Sequence, residues 1–98
     1  MRSRAESLEF ALLGLLVQNP LHGYELRKRL TSIFGPFRAL SFSVLYPQLR
    51  RMLEAGLISQ AEVPKGGRSR RVRIVYSITE KGRAKFASLT KRESTVLG

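Results

Sequence analysis

The chain has 98 residues and a formal net charge of +11, from 18 basic and 7 acidic side chains. Its length predicts one domain, and its 43 % hydrophobic content excludes a disordered chain. Positive charge of this size favours an anionic partner, either nucleic acid or a membrane surface. The charge is concentrated in residues 61–98, where 10 basic and 3 acidic side chains give a net charge of +7.

The residue types present exclude several kinds of catalytic and metal site. There is no cysteine and only one histidine, His22, so thiolate sites, disulfides and a histidine-based zinc site are not expected. Every acidic residue is a glutamate, which excludes a Ser-His-Asp triad. No paired acids, nucleophile–base set or phosphate loop is present, so we expect no catalytic residue, no metal site and no cofactor.

A membrane-spanning segment is also not expected. The longest apolar stretch, Phe10 to Val17, has about eight residues, against the roughly 20 that a bilayer requires. Arginines precede it, as in a signal peptide, but it continues into amphipathic sequence with no small-residue cleavage site. The expected location is the cytoplasm.

Two amphipathic helices are predicted in the first part of the chain. A helix over residues 5–18 is indicated by an apolar stripe at helical spacing: Leu8, Ala11, Leu12, Leu15 and Leu16. Asn19-Pro20 ends it. A second helix runs from His22 or Gly23 to Ser32, with Leu26 and Leu30 facing inward, and Gly35-Pro36 ends it.

The segment "SFSVLYPQLRRMLEAGLI", Ser41 to Ile58, predicts a third helix with two distinct faces. One face is apolar and comprises Phe42, Leu45, Leu49, Met52 and Leu53. The opposite face carries Ser43, Pro47, Arg50, Arg51 and Glu54, with Tyr46 at its margin. Ser41 or Ser43 is the expected N-cap, and Pro47 predicts a kink or a 3₁₀ opening turn. Gly56 is the expected C-terminal glycine, with Leu57 making the accompanying apolar contact.

The hydrophobic period then changes to two, which indicates a β-hairpin. We predict strands from Leu57 to Val63 and from Arg70 to Ile78, joined by the turn "PKGG". Val72, Ile74 and Tyr76 would cover the core, and Arg71 and Arg73 would lie on the other face. Thr79 is expected to cap a fourth helix with Phe86 and Leu89 as apolar positions, before a polar tail at residues 91–98.

This layout is typical of a winged helix-turn-helix: an α+β, mostly helical domain of three helices, a two-stranded wing and a fourth helix, here over residues 1–90. A helix fits the major groove of B-DNA, and an adjacent hairpin reaches the flanking backbone or minor groove. The basic residues also have simpler interpretations. The Arg68, Arg70, Arg71 and Arg73 cluster could protect an edge strand, and Arg50 and Arg51 could be an ordinary solvent face. The density of the four arginines beside the turn favours contact with DNA. The position of Arg50 and Arg51 on a helix that precedes a hairpin favours it as well.

Three segments together resemble the PadR-like transcriptional regulators. They are "EFALLGLLVQNPLHGYELRKRL" (Glu9 to Leu30), the Ser41–Ile58 segment and "VYSITEKGRAKF" (Val75 to Phe86), in order and at suitable spacing. The resemblance implies a repressor that binds an inverted-repeat operator in double-stranded DNA as a homodimer. It also implies that the third helix is the recognition helix, that the hairpin is the wing, and that Tyr24 and Lys28 lie near the DNA backbone. Some family members respond to small hydrophobic or aromatic compounds.

From the layout and the resemblance we predict one set of DNA-binding residues: Tyr24, Lys28, Ser41, Ser43, Tyr46, Pro47, Arg50, Arg51, Lys65, Arg68, Arg70, Arg71 and Arg73. Ser43 is equally consistent with a role as a cap alone, and Tyr46 with packing at the margin of the core.

The family pattern includes long C-terminal helices that form the dimer, whereas only a few polar residues follow Leu89 here. Either this chain is limited to the DNA-binding part or it dimerises through its first and fourth helices, and we expect a weak dimer or a monomer in free solution. Two further functions stay open: a small basic RNA-binding or ribosome-associated protein, and a winged helix that binds protein. An enzyme is the least favoured class.

Overall fold

The structure, a computed structural model, describes residues 4–35, 41–66 and 71–97, without the side chains of residues 4, 5, 42 and 93–97. Its helices are α1 (Arg4–Gln18), α2 (Gly23–Phe34), α3 (Phe42–Glu54) and α4 (Glu80–Leu97). Its strands are β1 (Leu21–His22), β2 (Ile58–Pro64) and β3 (Val72–Ile78), which form one antiparallel sheet in the order β1-β3-β2. The predicted α+β winged-helix fold is confirmed.

The sheet has a third strand that the sequence did not predict. β1 pairs Leu21 with Tyr76 and His22 with Val75, so it joins the start of α2 to the inner half of β3. A two-residue strand between a proline and a helix is too short to show a period of two, and only the presence of β3 beside it defines it. The predicted two-stranded wing is present, and β1 adds a third strand to its sheet.

The wing is the β2–β3 hairpin, and its second strand is shorter than predicted. β3 begins at Val72 rather than at Arg70, and the Lys65 N–H donates to the Arg71 carbonyl at 3.2 Å where the two strands separate. Burial decreases along β3, from Tyr76 with 5 % of its surface exposed to Val72 with 47 %. The prediction that Val72 covers the core is wrong, because the outer half of the hairpin extends beyond the helices that cover its inner half.

The core is built mainly from leucines of the first three helices. α1 contributes Leu8, Leu12, Leu13 and Leu16; Leu13 lies outside the predicted stripe, and Ala11 and Leu15 within it are only partly buried. A single stripe underestimates the burial of α1, because this helix packs against α2, α3, α4 and β3. Within the described ranges, no helix is both long enough and apolar enough to span a bilayer.

Over the side chains that the structure describes, which do not include Phe42, α3 separates its two faces as predicted. Leu45, Leu49 and Met52 are fully buried, whereas Arg50 and Arg51 are exposed. α3 is followed by a Schellman motif: the Gly56 N–H donates to the Leu53 carbonyl and the Leu57 N–H to the Met52 carbonyl, both at 3.0 Å. Gly56 has a φ of 76°, which favours glycine, and Leu57 is buried as expected.

The N-terminus of α3 differs in detail from the prediction. Ser41 occupies the N-cap position, but its hydroxyl bonds the Ser43 hydroxyl at 2.6 Å instead of capping a backbone N–H. The Ser41 carbonyl accepts from the N–H groups of Val44 and Leu45, both at 3.1 Å, so the opening turn mixes a 3₁₀-type and an α-type bond. The helix is then α-helical through Pro47.

Thr79 joins three elements. Its hydroxyl oxygen accepts from the Gly82 N–H at 3.1 Å, the expected cap of α4, and the hydroxyl donates to the Gly56 carbonyl at 2.6 Å just after α3. Further along α4, Phe86 stacks on Phe10 with ring centroids 5.2 Å apart. α4 continues to Leu97, so residues 91–97, predicted as a polar tail, are its last turns.

Candidate nucleic-acid interface

The exposed face of α3 forms a concavity of about 370 Å³, which we call the α3 face. It is lined by Ser43, Tyr46, Pro47, Arg50, Arg51 and Glu54. Because the opposite side of the helix is buried, this face is held at a fixed distance from the core. Hydroxyl and guanidinium groups at this position are donors suited to base edges and phosphates in a major groove.

A second concavity, of about 360 Å³, lies between the start of α2, α3 and the wing. We call it the wing notch, and its lining residues are His22, Gly23, Tyr24, Tyr46, Lys65, Val72, Arg73, Ile74 and Tyr76. Tyr46 lines both the wing notch and the α3 face. The two concavities are therefore neighbouring parts of one surface.

The surface carries positive charge that the protein itself does not neutralise. Among the described residues, Arg50, Lys65 and Arg73 make no ion pair. Arg51 is held differently, because its guanidinium donates to the Oε1 of the buried Gln48 at 2.6 Å. Glu54 is the one carboxylate lining either concavity in the described part of the chain. An anionic ligand would therefore meet a net positive field.

Residues at the start of α2 form one wall of the wing notch, and local contacts hold them in place. The His22 Nδ1 accepts from the Glu25 N–H at 3.3 Å, which caps the helix, and the His22 ring stacks on that of Tyr24 with centroids 6.4 Å apart. Arg29 donates to the Glu25 carboxylate at 3.1 Å, and this hydrogen bond lowers the pKa of Glu25. Tyr24 itself stays largely exposed, so its hydroxyl is available to a ligand.

Tyr76 forms the floor of the wing notch. Its burial raises the pKa of its hydroxyl, and the nearby Tyr46 raises it further. The group therefore stays protonated as a potential donor at neutral pH. Over the ranges that the structure describes, no group of three His, Cys, Asp or Glu side chains is arranged to hold a metal ion.

Most of the predicted site residues lie on this surface. The two concavities bring together Tyr24, Ser43, Tyr46, Pro47, Arg50, Arg51, Lys65 and Arg73. Lys28, Ser41 and Arg71 are exposed but line neither concavity. Arg68 and Arg70 lie outside the described residues, so their predicted role stays a prediction.

The sequence interpretation missed five residues of the wing notch. His22 and Gly23 directly precede Tyr24, and that adjacency was the signal available for them. Val72, Ile74 and Tyr76 were assigned to the core alone. The buried Gln48, which holds Arg51, was also missed, because a glutamine next to an apolar stripe has no distinctive pattern.

Comparison with known proteins identifies the family. The model of the transcriptional regulator PadR-like family matches residues 12–88. The negative transcriptional regulator PadR of Bacillus subtilis is 28 % identical over 76 residues, which are 78 % of this chain and 41 % of that protein. The chain thus spans less than half the length of this relative.

Two solved structures extend the comparison. The crystal structure of Bacillus subtilis PadR in complex with operator DNA superposes with a TM-score of 0.74 at 25 % identity, covering 86 % of this chain and 47 % of that one. A PadR-like transcriptional regulator from Bacillus cereus superposes with a TM-score of 0.76 at 29 % identity, covering 91 % of this chain and 82 % of that one. Because the family match extends from α1 to α4 across most of the chain, this protein belongs to the PadR-like family of transcriptional regulators.

Proposed function

We propose that this chain is a sequence-specific DNA-binding regulator that reads operator DNA with α3 and holds the flanking backbone with its wing. The observation that carries the proposal is the meeting of two basic concavities at Tyr46. Two concavities that share a residue form one continuous surface, which suits one extended anionic partner. Duplex DNA has that shape, with a groove for a helix beside a phosphate backbone.

The two concavities would have different tasks. On the α3 face, Ser43, Arg50 and Arg51 would enter the major groove, where arginine pairs with guanine through two hydrogen bonds. In the wing notch, Tyr24, Lys65 and Arg73 would bind phosphates, which fix register without carrying sequence information. The operator complex of the Bacillus subtilis relative supports DNA as the partner.

A repressor acting on an inverted repeat requires two copies of the chain in register. We propose a homodimer on DNA that is weak in free solution. If the chain dimerises through α1 and α4, part of their surface is already engaged within one copy: Phe86 stacks on Phe10, and Lys85 pairs with Glu9 at 2.8 Å. Less of the α1–α4 surface is then left for a second copy. Sedimentation at micromolar concentration tests this, and a stable dimer there would contradict it.

The RNA-binding alternative gains no support from membership in a family of transcriptional regulators. The direct test is a band-shift assay with duplex DNA from upstream of this protein's own gene, a mixed-sequence duplex and a structured RNA. We expect the upstream duplex to bind tightest and footprinting to map a protected inverted repeat. Preference for the RNA would overturn the proposal. A cytoplasmic location, the absence of enzymatic activity and a small hydrophobic effector stay predictions.

A further inference from the structure

Gly23 is the first residue of α2, and its backbone conformation does not explain why it is a glycine. Among the described residues, the glycines with positive φ are Gly35, Gly56 and Gly66. Gly23 has an ordinary φ that any residue could adopt, and glycine is among the poorest helix formers. The reason for a glycine at this position must therefore lie in what surrounds it.

The space beside Gly23 is taken by Tyr46. A Cβ atom added at residue 23 would lie 2.8 Å from the Tyr46 hydroxyl oxygen and 3.3 Å from its Cε1 atom. Real Cβ atoms essentially never approach a neighbour as closely as the first of these distances. The end of the Tyr46 side chain rests against the start of α2 only because residue 23 has no side chain.

The contact with Gly23 determines where the partly exposed Tyr46 side chain lies. Tyr46 has 46 % of its surface exposed, so the core does not hold its ring on every side. A larger residue at position 23 would displace the Tyr46 ring. The cost in protein stability would be small, because the hydroxyl end of the ring can rotate into solvent. Tyr46 also joins the wing notch to the α3 face, so its displacement would change the surface proposed to meet DNA.

We infer that Gly23 is a positioning residue for DNA binding, which holds the Tyr46 hydroxyl in the wing notch that Lys65 and Arg73 also line. The ligand of this hydroxyl is a backbone phosphate of duplex DNA, since a phenol O–H donates well to an anionic oxygen already attracted by two cations. The inference rests on the proposed function and assigns to Gly23 a role that involves no contact of its own with DNA.

A double-mutant cycle tests the inference, with Gly23→Ala, Tyr46→Phe and the double variant compared on a duplex selected from random sequence by the wild-type chain. Losing one hydrogen bond to phosphate should weaken binding about five-fold or more. We expect Gly23→Ala to weaken binding to a similar degree, and the double variant to bind no more weakly than Tyr46→Phe. Losses that multiply in the double variant, or unchanged binding by Gly23→Ala, would overturn the inference.

Gly14→Ala is the matched control. An added Cβ at Gly14 would lie 3.3 Å from the Phe86 ring, so this variant also places a methyl group on a helix against an aromatic side chain, outside both concavities. It should leave DNA affinity unchanged. A thermal midpoint lowered far more by Gly23→Ala than by Gly14→Ala would assign Gly23 a structural role instead.

A measurement on the free protein separates this inference from the proposed function. In the wild-type chain, nuclear Overhauser contacts should connect the Tyr46 ring to the Gly23 α-protons. They should be intact in Gly14→Ala, and in Gly23→Ala the ring should lose its contacts to the start of α2. Wild-type protein with these contacts but no preference for duplex DNA would overturn the proposed function and, with it, the role in binding. Absence of the contacts from a DNA-binding wild-type chain would overturn the inference alone.

Discussion

α3 and the wing both present arginines to solvent, but the protein supports them in different ways. Beneath α3, the side chains of Leu45, Leu49 and Met52 are completely or almost completely buried. In the wing, β2 is exposed from Ser59 onward, and the outer half of β3 is held mainly by its pairing with β2. α3 is thus held in place by the core, whereas the outer half of the wing is held mainly by the pairing of its own two strands.

This difference matches the two kinds of contact that DNA offers. A hydrogen bond to a base edge discriminates only if its donor is held in a definite position, whereas attraction to a phosphate tolerates adjustment. A helix with a buried opposite face suits the first task, and a hairpin that extends past the core suits the second. The comparison therefore predicts that substitutions of buried residues beneath α3 alter the free energy of unfolding. Substitutions in the outer wing should instead alter the affinity for DNA.

The largest expected effect is on stability. Leu49→Ala should lower the free energy of unfolding by about 2–5 kcal/mol, because it leaves a cavity under α3. Val72→Ala in the outer wing should change it by only about 0.5 kcal/mol, because Val72 is nearly half exposed. Denaturant titration of both variants measures the two values. Equal losses would show that the wing is as firmly attached to the core as α3.

A smaller effect is expected on specificity. Arg50→Ala should weaken binding to a selected duplex by about 1–3 kcal/mol, and binding to mixed-sequence duplex much less, if Arg50 contacts a base edge. Arg73→Ala is the matched change in the wing and should weaken both complexes alike. Parallel titrations with the two duplexes distinguish these outcomes. An equal loss on both duplexes for Arg50→Ala would place this residue on phosphate, and the division of tasks would fail there.

Thr79 connects the two regions, since it bonds the Gly56 carbonyl after α3 and caps α4 directly after β3. Thr79→Ala should lower the free energy of unfolding by about 1 kcal/mol through loss of the cap. Thr79→Ser keeps the hydroxyl and should retain most of that stability. Thermal unfolding of the pair is the measurement, and a serine variant as unstable as the alanine variant would show that the methyl group matters instead.

The smallest expected effect is on salt dependence. Arg71→Ala and Arg73→Ala should each make the slope of log K against log salt less steep by about 0.9, the contribution of one phosphate contact. Arg83→Ala, an exposed change on α4 outside both concavities, should leave the slope unchanged. Fluorescence anisotropy across a salt series gives the slopes. A complex insensitive to salt would remove the electrostatic basis of the wing contacts.

The sequence alone was sufficient to predict the main helices, the hairpin and the side chains that line the α3 face. These features depend on local signals: apolar residues at helical spacing, glycine and proline at the ends of elements, and Thr79 directly before α4. Each acts within a few residues of chain, so it can be recognised without knowing what packs nearby. Arg50 and Arg51 were correctly placed on an exposed face for this reason.

Only the tertiary structure decided how those elements meet. β1 exists because β3 lies beside it, Val72 is exposed because the hairpin extends past the helices, and Gln48 is buried where it can bond Arg51. Gly23 and Tyr46 are 23 residues apart in the chain, and neither suggests the other. Their contact depends on how α2 and α3 each pack against α1, and local periodicity carries no information about the distance between two separate elements.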